Sequence, residues 1–170
     1  MYRLAVVQYR VSRALGRFLA RTAATLTLER MPPFTSTSAL VLKDGLLLVV
    51  VDSILDQPIL PGGHLAWRET PEEAVVREVR EETGIEIQVG ELVAVAAGEQ
   101  WAGEPGVVRV VYRCEARGGT LRSSAEGRAA WVNPHDVASS QTRDASIIRR
   151  WLEAAGDELS ARGAASPPSG

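Results

Sequence analysis

The stretch GHLAWRETPEEAVVREVREETGI, residues 63–85, combines a helix with well-marked ends and a crowd of like charges. Thr70 suits the N-cap, Pro71 the first helical position, and Glu73 completes a Thr-x-x-Glu capping box. Gly84 is the natural stop. Between these ends Glu78, Glu81 and Glu82 recur at spacings of three and four. Like charges four apart cost a helix roughly 0.2–0.5 kcal/mol per pair, so a helix needing only solubility would interleave lysines. At about 100° per residue, Glu82 lies about 40° to one side of Glu78 and Glu81 about 60° to the other. Ala74 falls inside the same arc and is small enough to leave room above it. Val75, Val76 and Val79 fall elsewhere and are expected to form the core-facing stripe. The glutamates should then form an acidic patch separate from the packing face. Two charges ~4 Å apart repel by about 4 kcal/mol at an effective dielectric of ~20. Such a patch is either fully solvated, with Arg77 and Arg80 as partners, or neutralised by a hard divalent cation, which takes oxygen ligands.

Outward from this helix, strand and helix patterns alternate. STSALVLKDGLLLVVVD (36–52) reads as two strands joined at Asp44-Gly45, a strong hairpin signal. SILDQPILPGG (53–63) is a loop with a short extended piece. IEIQVGELVAVAA (85–97), GVVRVVYRCEA (106–116) and GRAAWV (127–132) read as strands. NPHDVAS begins a helical turn at Pro134, and RDASIIRRWLEAA is an amphipathic helix carrying Ile147, Ile148, Trp151 and Leu152. Mixed strands and helices with hairpins predict an α+β fold, an α/β/α sandwich around a mixed sheet, within one domain at 34–157.

The chain has 170 residues, with 45% hydrophobic and 24% charged content, enough for one domain with a real core. A net charge of −2 argues against the whole molecule being an electrostatic nucleic-acid binder, and no DNA partner is expected. Cys114 is the only cysteine, which excludes an internal disulfide and thiolate metal clusters. No signal-peptide pattern and no run of ~20 apolar residues is seen, so a soluble cytoplasmic protein is expected. Residues 1–30 read as an amphipathic helix, with Leu4, Val7, Val11, Leu15, Phe18 and Leu19 at helical spacing. Arg10, Arg13, Arg17 and Arg21 form a basic stripe opposite. Packing on the domain or on the mate in a homodimer is the ordinary use of such a helix. An anionic membrane or RNA is the alternative. The tail, 158–170, has a flexible composition.

From Gly63 the spacing runs five residues to Glu69, seven more to Arg77-Glu78-Val79, then Glu81-Glu82, Gly84 and Ile85. This resembles the Nudix box, G-x5-E-x7-R-E-U-x-E-E-x-G-U with U aliphatic. All seven specified residues are present and both aliphatic positions are filled. At about 7% per position, seven chance matches arise on the order of once in 10⁸ registers. The resemblance implies a loop-helix-loop that binds Mg²⁺ or Mn²⁺ and hydrolyses a nucleoside diphosphate linked to another moiety, by water attack on phosphorus. Glu78 and Glu82 match the principal metal ligands, Glu81 a further ligand, and the Gly63 carbonyl a backbone ligand. Arg77 matches the residue that orients a glutamate by ion pairing, and Glu69 a supporting or occasional ligand. The general base is either Glu78 or a glutamate from a later loop. Glu126, five residues before Trp131, is the best later candidate, with Glu99 and Glu104 as alternatives.

The substrate is less legible. The proline and tyrosine markers of two subfamilies are not met, so no subfamily is assigned. Trp101 is a candidate to stack on a nucleobase, the alternative being a core edge. Arg109 and Arg113 are expected to face solvent rather than phosphate. His64 and His135 read as surface or packing residues, and Cys114 as a buried small apolar residue. Two rivals stand beside the enzyme: a sensing module that binds a nucleotide or ADP-ribose without cleaving it, and a peripheral membrane or RNA protein.

Overall fold

Leu46 to Asp52 reads LLLVVVD, apolar at consecutive positions, the pattern of a strand covered on both faces. The computed structural model, which describes residues 33–98 and 106–164 with side chains to residue 155, bears this out. The elements are β1 (Phe34–Lys43), β2 (Leu46–Asp52), β3 (Pro58–Ile59), β4 (Gly62–His64), α1 (Pro71–Thr83), β5 (Ile85–Ala97), β6 (Val107–Gly119), β7 (Gly127–Val132), α2 (Pro134–Ser139) and α3 (Ala145–Ala164). The strands form one mixed sheet. β1 pairs in parallel with β6 from Phe34↔Val107 to Leu42↔Glu115, while the other pairings are antiparallel. The hairpin turn places Asp44 at φ 51° and Gly45 at φ 76°, the left-handed pair that the Asp-Gly sequence predicts.

β1 and β2 touch only at their hairpin end, Leu42↔Leu47 and Lys43↔Leu46. Beyond it they separate. β4 takes over the edge of β1, at Ser36, Thr37 and Ser38, and β3 takes over that of β2. Because strand side chains alternate, the two strands feed two cores. Leu40, Leu47 and Val49 pack with Val137, Ile147 and Ile148 of α2 and α3. Ala39, Val41 and Leu48 pack with Val75 and Val79 of α1. The result is the expected α/β/α sandwich, and it sets α1 against the point where β4 crosses β1.

Helix α1 has the ends read from sequence. Thr70 caps it, its hydroxyl accepting from Glu73 N at 3.2 Å, while the Glu73 carboxylate accepts from Thr70 N at 2.9 Å. Gly84 closes it at φ 74°. The helix starts tied to β6, where the Tyr112 hydroxyl donates to Glu72 at 2.6 Å. It ends tied to the segment after β6, where Arg122 N donates to Thr83 O at 2.8 Å. Its buried arc differs from the sequence reading. Val76 stays 38% exposed, whereas Ala74 and Glu82 are buried. The packing arc is centred between Val75 and Glu82, and Val76 lies about 100° beyond that centre. The glutamates therefore do not form a patch apart from the packing face, since Glu82 sits within it.

The tail helix α3 runs past Ala155, where its apolar spacing ends, to Ala164. Among the described residues no helix is long and apolar enough to cross a membrane. The stretch read as a basic N-terminal helix lies outside the described residues.

Candidate active site

Two backbone devices prepare the site. The first is the turn Leu60-Pro61-Gly62-Gly63, which leads into β4. Pro61 O accepts from Ala39 N at 2.9 Å, and Gly62 N donates to Glu82 Oε2 at 2.9 Å. Gly62 has to be glycine on contact grounds, and Gly63 stands close against the Glu78 carboxylate. A Cβ on Gly62 would overlap the backbone carbonyl of Thr37, and one on Gly63 would lie 2.6 Å from the Glu78 carboxyl carbon. Glycine lets the β4 backbone approach both β1 and the Glu78 carboxylate.

The second device holds Glu126. Its carbonyl accepts from Ser53 N at 3.0 Å, and its own N–H donates to Ser124 Oγ at 3.2 Å. Ser53 follows Asp52, whose buried carboxylate accepts from Ile54 N and Leu55 N at 2.7 and 2.9 Å and shapes that turn. The next residue, Gly127, has no room for a Cβ against the Val51 carbonyl. Glu126 is thereby delivered from a loop more than forty residues away in sequence to lie beside the Glu82 carboxyl.

Arg77 ties the periphery together. Its guanidinium grips Glu69 by two bonds, Nε to Oε1 at 2.7 Å and Nη2 to Oε2 at 2.8 Å. It also meets Glu78 Oε1 at 2.8 Å and Glu81 Oε2 at 3.4 Å, and donates to the His64 carbonyl at 3.2 Å. The planar fork suits such bidentate work. Glu69 in turn accepts from Ala66 N at 2.8 Å. The Arg77 bonds, with the Ala66 N–H, hold the Glu69 carboxyl down at about 2, and Glu69 lifts the Arg77 guanidinium above its ordinary value.

The inner carboxyls go the other way. Burial raises the Glu78 carboxyl, against the pull of Arg77, and the charges of Glu126 and Glu81 add to the rise. Burial raises Glu82 well above its ordinary value, helped by the hydrogen bond and charge of Glu126 and by Glu78, and opposed by the Gly62 N–H. The donor set is all oxygen and mutually repulsive, which is the chemistry a hard divalent cation relieves. Among the described residues no three carboxylate, imidazole or thiolate groups already converge as a cation's ligands would. Glu78 is drawn toward Arg77 and Glu82 toward Gly62 and Glu126. In donor type the set fits a hard divalent cation such as Mg²⁺ or Mn²⁺.

The structure thus brings Gly63, Glu69, Arg77, Glu78, Glu81, Glu82 and Glu126 together. Glu81 is the outermost glutamate, with 61% of its side chain exposed against 14% for Glu78. Trp101, Glu99 and Glu104 lie outside the described residues. His64 and His135 are exposed and Arg113 is half exposed beside Glu91, as read. Cys114 is buried, and burial pushes its thiol up to about 11. Arg109 corrects the reading. Expected to face solvent, it is 3% exposed and pairs with Asp144, itself fully buried, at 2.6 Å. The signal was available in part, since Val107, Arg109 and Val111 alternate onto one face of a strand whose Val neighbours are buried. Asp144 and Tyr112 carried no local sign of their partners.

Comparison with known proteins agrees with this geometry. The sequence model of the NUDIX domain matches residues 33–155. A MutT-like protein of Streptomyces ambofaciens is 40% identical over 111 residues, 63% of this chain and 70% of that protein. An ADP-ribose pyrophosphatase of Methanocaldococcus jannaschii is 37% identical over 71 residues, covering 42% of each chain. Among solved structures, the MutT protein of Methanosarcina mazei Go1 superposes with a TM-score of 0.63 at 25% identity, over 73% of this chain and 96% of that one. An ADP-ribose pyrophosphatase of Streptococcus suis shares the fold, with a TM-score of 0.58 at 23% identity over 72% and 92% of the two chains. The family match spans well over half of the sequence, and the box that it rests on is folded here as a loop-helix-loop around clustered carboxylates: the chain belongs to the Nudix hydrolase family.

Proposed function

We propose that this Nudix hydrolase cleaves the diphosphate bond of a nucleoside diphosphate linked to another moiety, with Mg²⁺ or Mn²⁺ as cofactor and a small nucleotide-type diphosphate as its partner. The observation that carries this reading is the meeting of Glu78, Glu82 and Glu126, two of them with carboxyls raised by burial and by one another. Structural carboxylates are ordinarily paired with cations, and an acidic group this costly to bury points to a site. The relatives named as pyrophosphatases and as MutT-like support the same class of reaction.

The cation would be held by Glu78, Glu82, Glu81 and the Gly63 carbonyl, where it would neutralise phosphate charge and acidify the attacking water. The chain's own residues have separate duties. Arg77 fixes the rotamer of Glu78 while Glu69 fixes Arg77. The Gly62 N–H orients Glu82. Glu126, or Glu78, takes the proton from water as it attacks phosphorus. Glu126 comes from a separate loop and lies beside Glu82, which supports it as a candidate for this duty.

A panel of diphosphate substrates, run with Mg²⁺ and with Mn²⁺ beside Glu82→Gln, tests the reading. Metal-dependent release of phosphate or nucleotide is expected, falling at least ~100-fold in the variant, the scale of losing a key electrostatic group. Full activity of Glu82→Gln, or none of the wild type on any diphosphate, would sink it.

A further inference from the structure

The buried pair Arg109–Asp144 lies outside the carboxylate cluster, on the opposite face of the sheet from α1. Asp144 divides its two oxygens. Oδ1 meets Arg109 Nη1 at 2.6 Å, and Oδ2 accepts from Leu60 N at 2.7 Å. Leu60 begins the turn that carries Gly62 and Gly63. Three successive backbone groups of that turn are therefore held from three directions: Leu60 N–H by Asp144, Pro61 C=O by Ala39 N–H, and Gly62 N–H by Glu82.

We propose that Arg109 and Asp144 are positioning residues for the hydrolytic site: their ion pair anchors Leu60 and, through the Leu60–Gly62 turn, sets the Gly62 N–H that orients Glu82. The inference rests on the function proposed above. The turn has little slack with which to absorb a shift at Leu60. Proline fixes one of its backbone angles, and Gly62 is already pressed against the Thr37 carbonyl. A displaced Leu60 must carry Gly62 with it or break the bond to Ala39. The pair itself is rigid, because Leu60 and both charged residues are almost wholly buried and such bonds are strong away from water. Gluing α3 to the sheet would need only the Arg109 contact. The second oxygen, spent on a backbone N–H 84 residues away, is what reaches the site.

The experiment compares the wild type with Asp144→Asn, which is isosteric, with Arg109→Lys, which keeps the charge but loses the planar fork, and with Ile87→Val, a change in the core cluster on the α1 side that holds neither Leu60 nor Asp144. Three quantities are read at a temperature where all are folded: kcat and KM on a substrate found in the panel, Mn²⁺ affinity by calorimetry without substrate, and hydrogen exchange of the Gly62 amide. Removal of such supporting partners typically costs ~10–100-fold in metal affinity or activity. That loss is expected in kcat and in Mn²⁺ affinity for the two pair variants, with KM changed less than about twofold and Gly62 exchanging faster. Ile87→Val should match the wild type in all three. If Asp144→Asn does not fold, Arg109→Lys decides alone. Wild-type kcat, Mn²⁺ affinity and Gly62 exchange in a folded pair variant would overturn the proposal. A wild type that cleaves no diphosphate would overturn the proposed function instead, and Mn²⁺ affinity and Gly62 exchange would still decide the positioning role.

Discussion

Two buried carboxylates in this molecule have opposite surroundings. Asp144 is 0% exposed and faces the Arg109 guanidinium and a backbone N–H. Glu82 is 5% exposed and faces Glu126 and Glu78, with one backbone N–H to offset them. Both lie in the low-dielectric interior, where an ionised carboxylate is expensive unless neutralised. The first is neutralised within the fold. The second is left for a proton or a cation to neutralise. The contrast separates a charge that builds the scaffold from one that the scaffold strains to present.

The largest expected effect comes from breaking the paired side of this contrast. Asp144→Ala should lower unfolding free energy by about 3–5 kcal/mol, the usual result of stranding one buried charge. In chemical denaturation the double change Asp144→Leu with Arg109→Met should recover most of that loss. A loss below ~1 kcal/mol would erase the distinction. Next is the unpaired side. Glu82→Gln, the variant expected to lose activity, should stabilise the metal-free protein at neutral pH by about 1–3 kcal/mol, the scale of relieving one uncompensated buried polar group. The sign follows from linkage. The Glu82 carboxyl is raised in the folded state, so its favourable contribution is present below the ordinary value of 4.5 and is lost as pH rises through the raised one. The gain should accordingly fade when melts are repeated below about pH 4.

Smaller effects come from the rim. Arg68 sits at φ 71°, a left-handed conformation that costs a side chain roughly 1–2 kcal/mol, offset in part by the flexibility of an unfolded glycine. Arg68→Gly should therefore raise stability by up to about 1 kcal/mol, seen as a Tm increase of a few degrees. The smallest is Glu69, whose contribution is present above the ordinary 4.5 and lost as pH falls through about 2. Stability curves of the wild type and Glu69→Gln should converge across that window, and a gap that does not narrow as pH falls from about 4.5 to about 2 would show that the Arg77 grip is not electrostatic.

Much of the site was legible because its chemistry is local. The capping box, Gly84 and the glutamate spacing all lie within one helix and its two ends, where three- and four-residue periodicity states who neighbours whom. The reading failed where burial depends on another element. Val76 looks like Val75 and Val79 in sequence, and only the angle at which α1 meets the sheet leaves it exposed. Arg109 looks like a surface arginine until Asp144, thirty-five positions later, is brought beneath it by the packing of α3.

By itself the sequence determined the helix and its caps, the Asp-Gly hairpin, the two-faced strands and the spacing of the box that marks the family, since each follows from bond geometry or from fixed spacing along one element. Tertiary structure alone decided which glutamates are buried, that Glu126 joins Glu82, and that Arg109 and Asp144 grip the Leu60–Gly62 turn. Those outcomes depend on distances between segments far apart in the chain, and electrostatic cost is set by those distances and by exclusion of water, neither of which a linear order specifies.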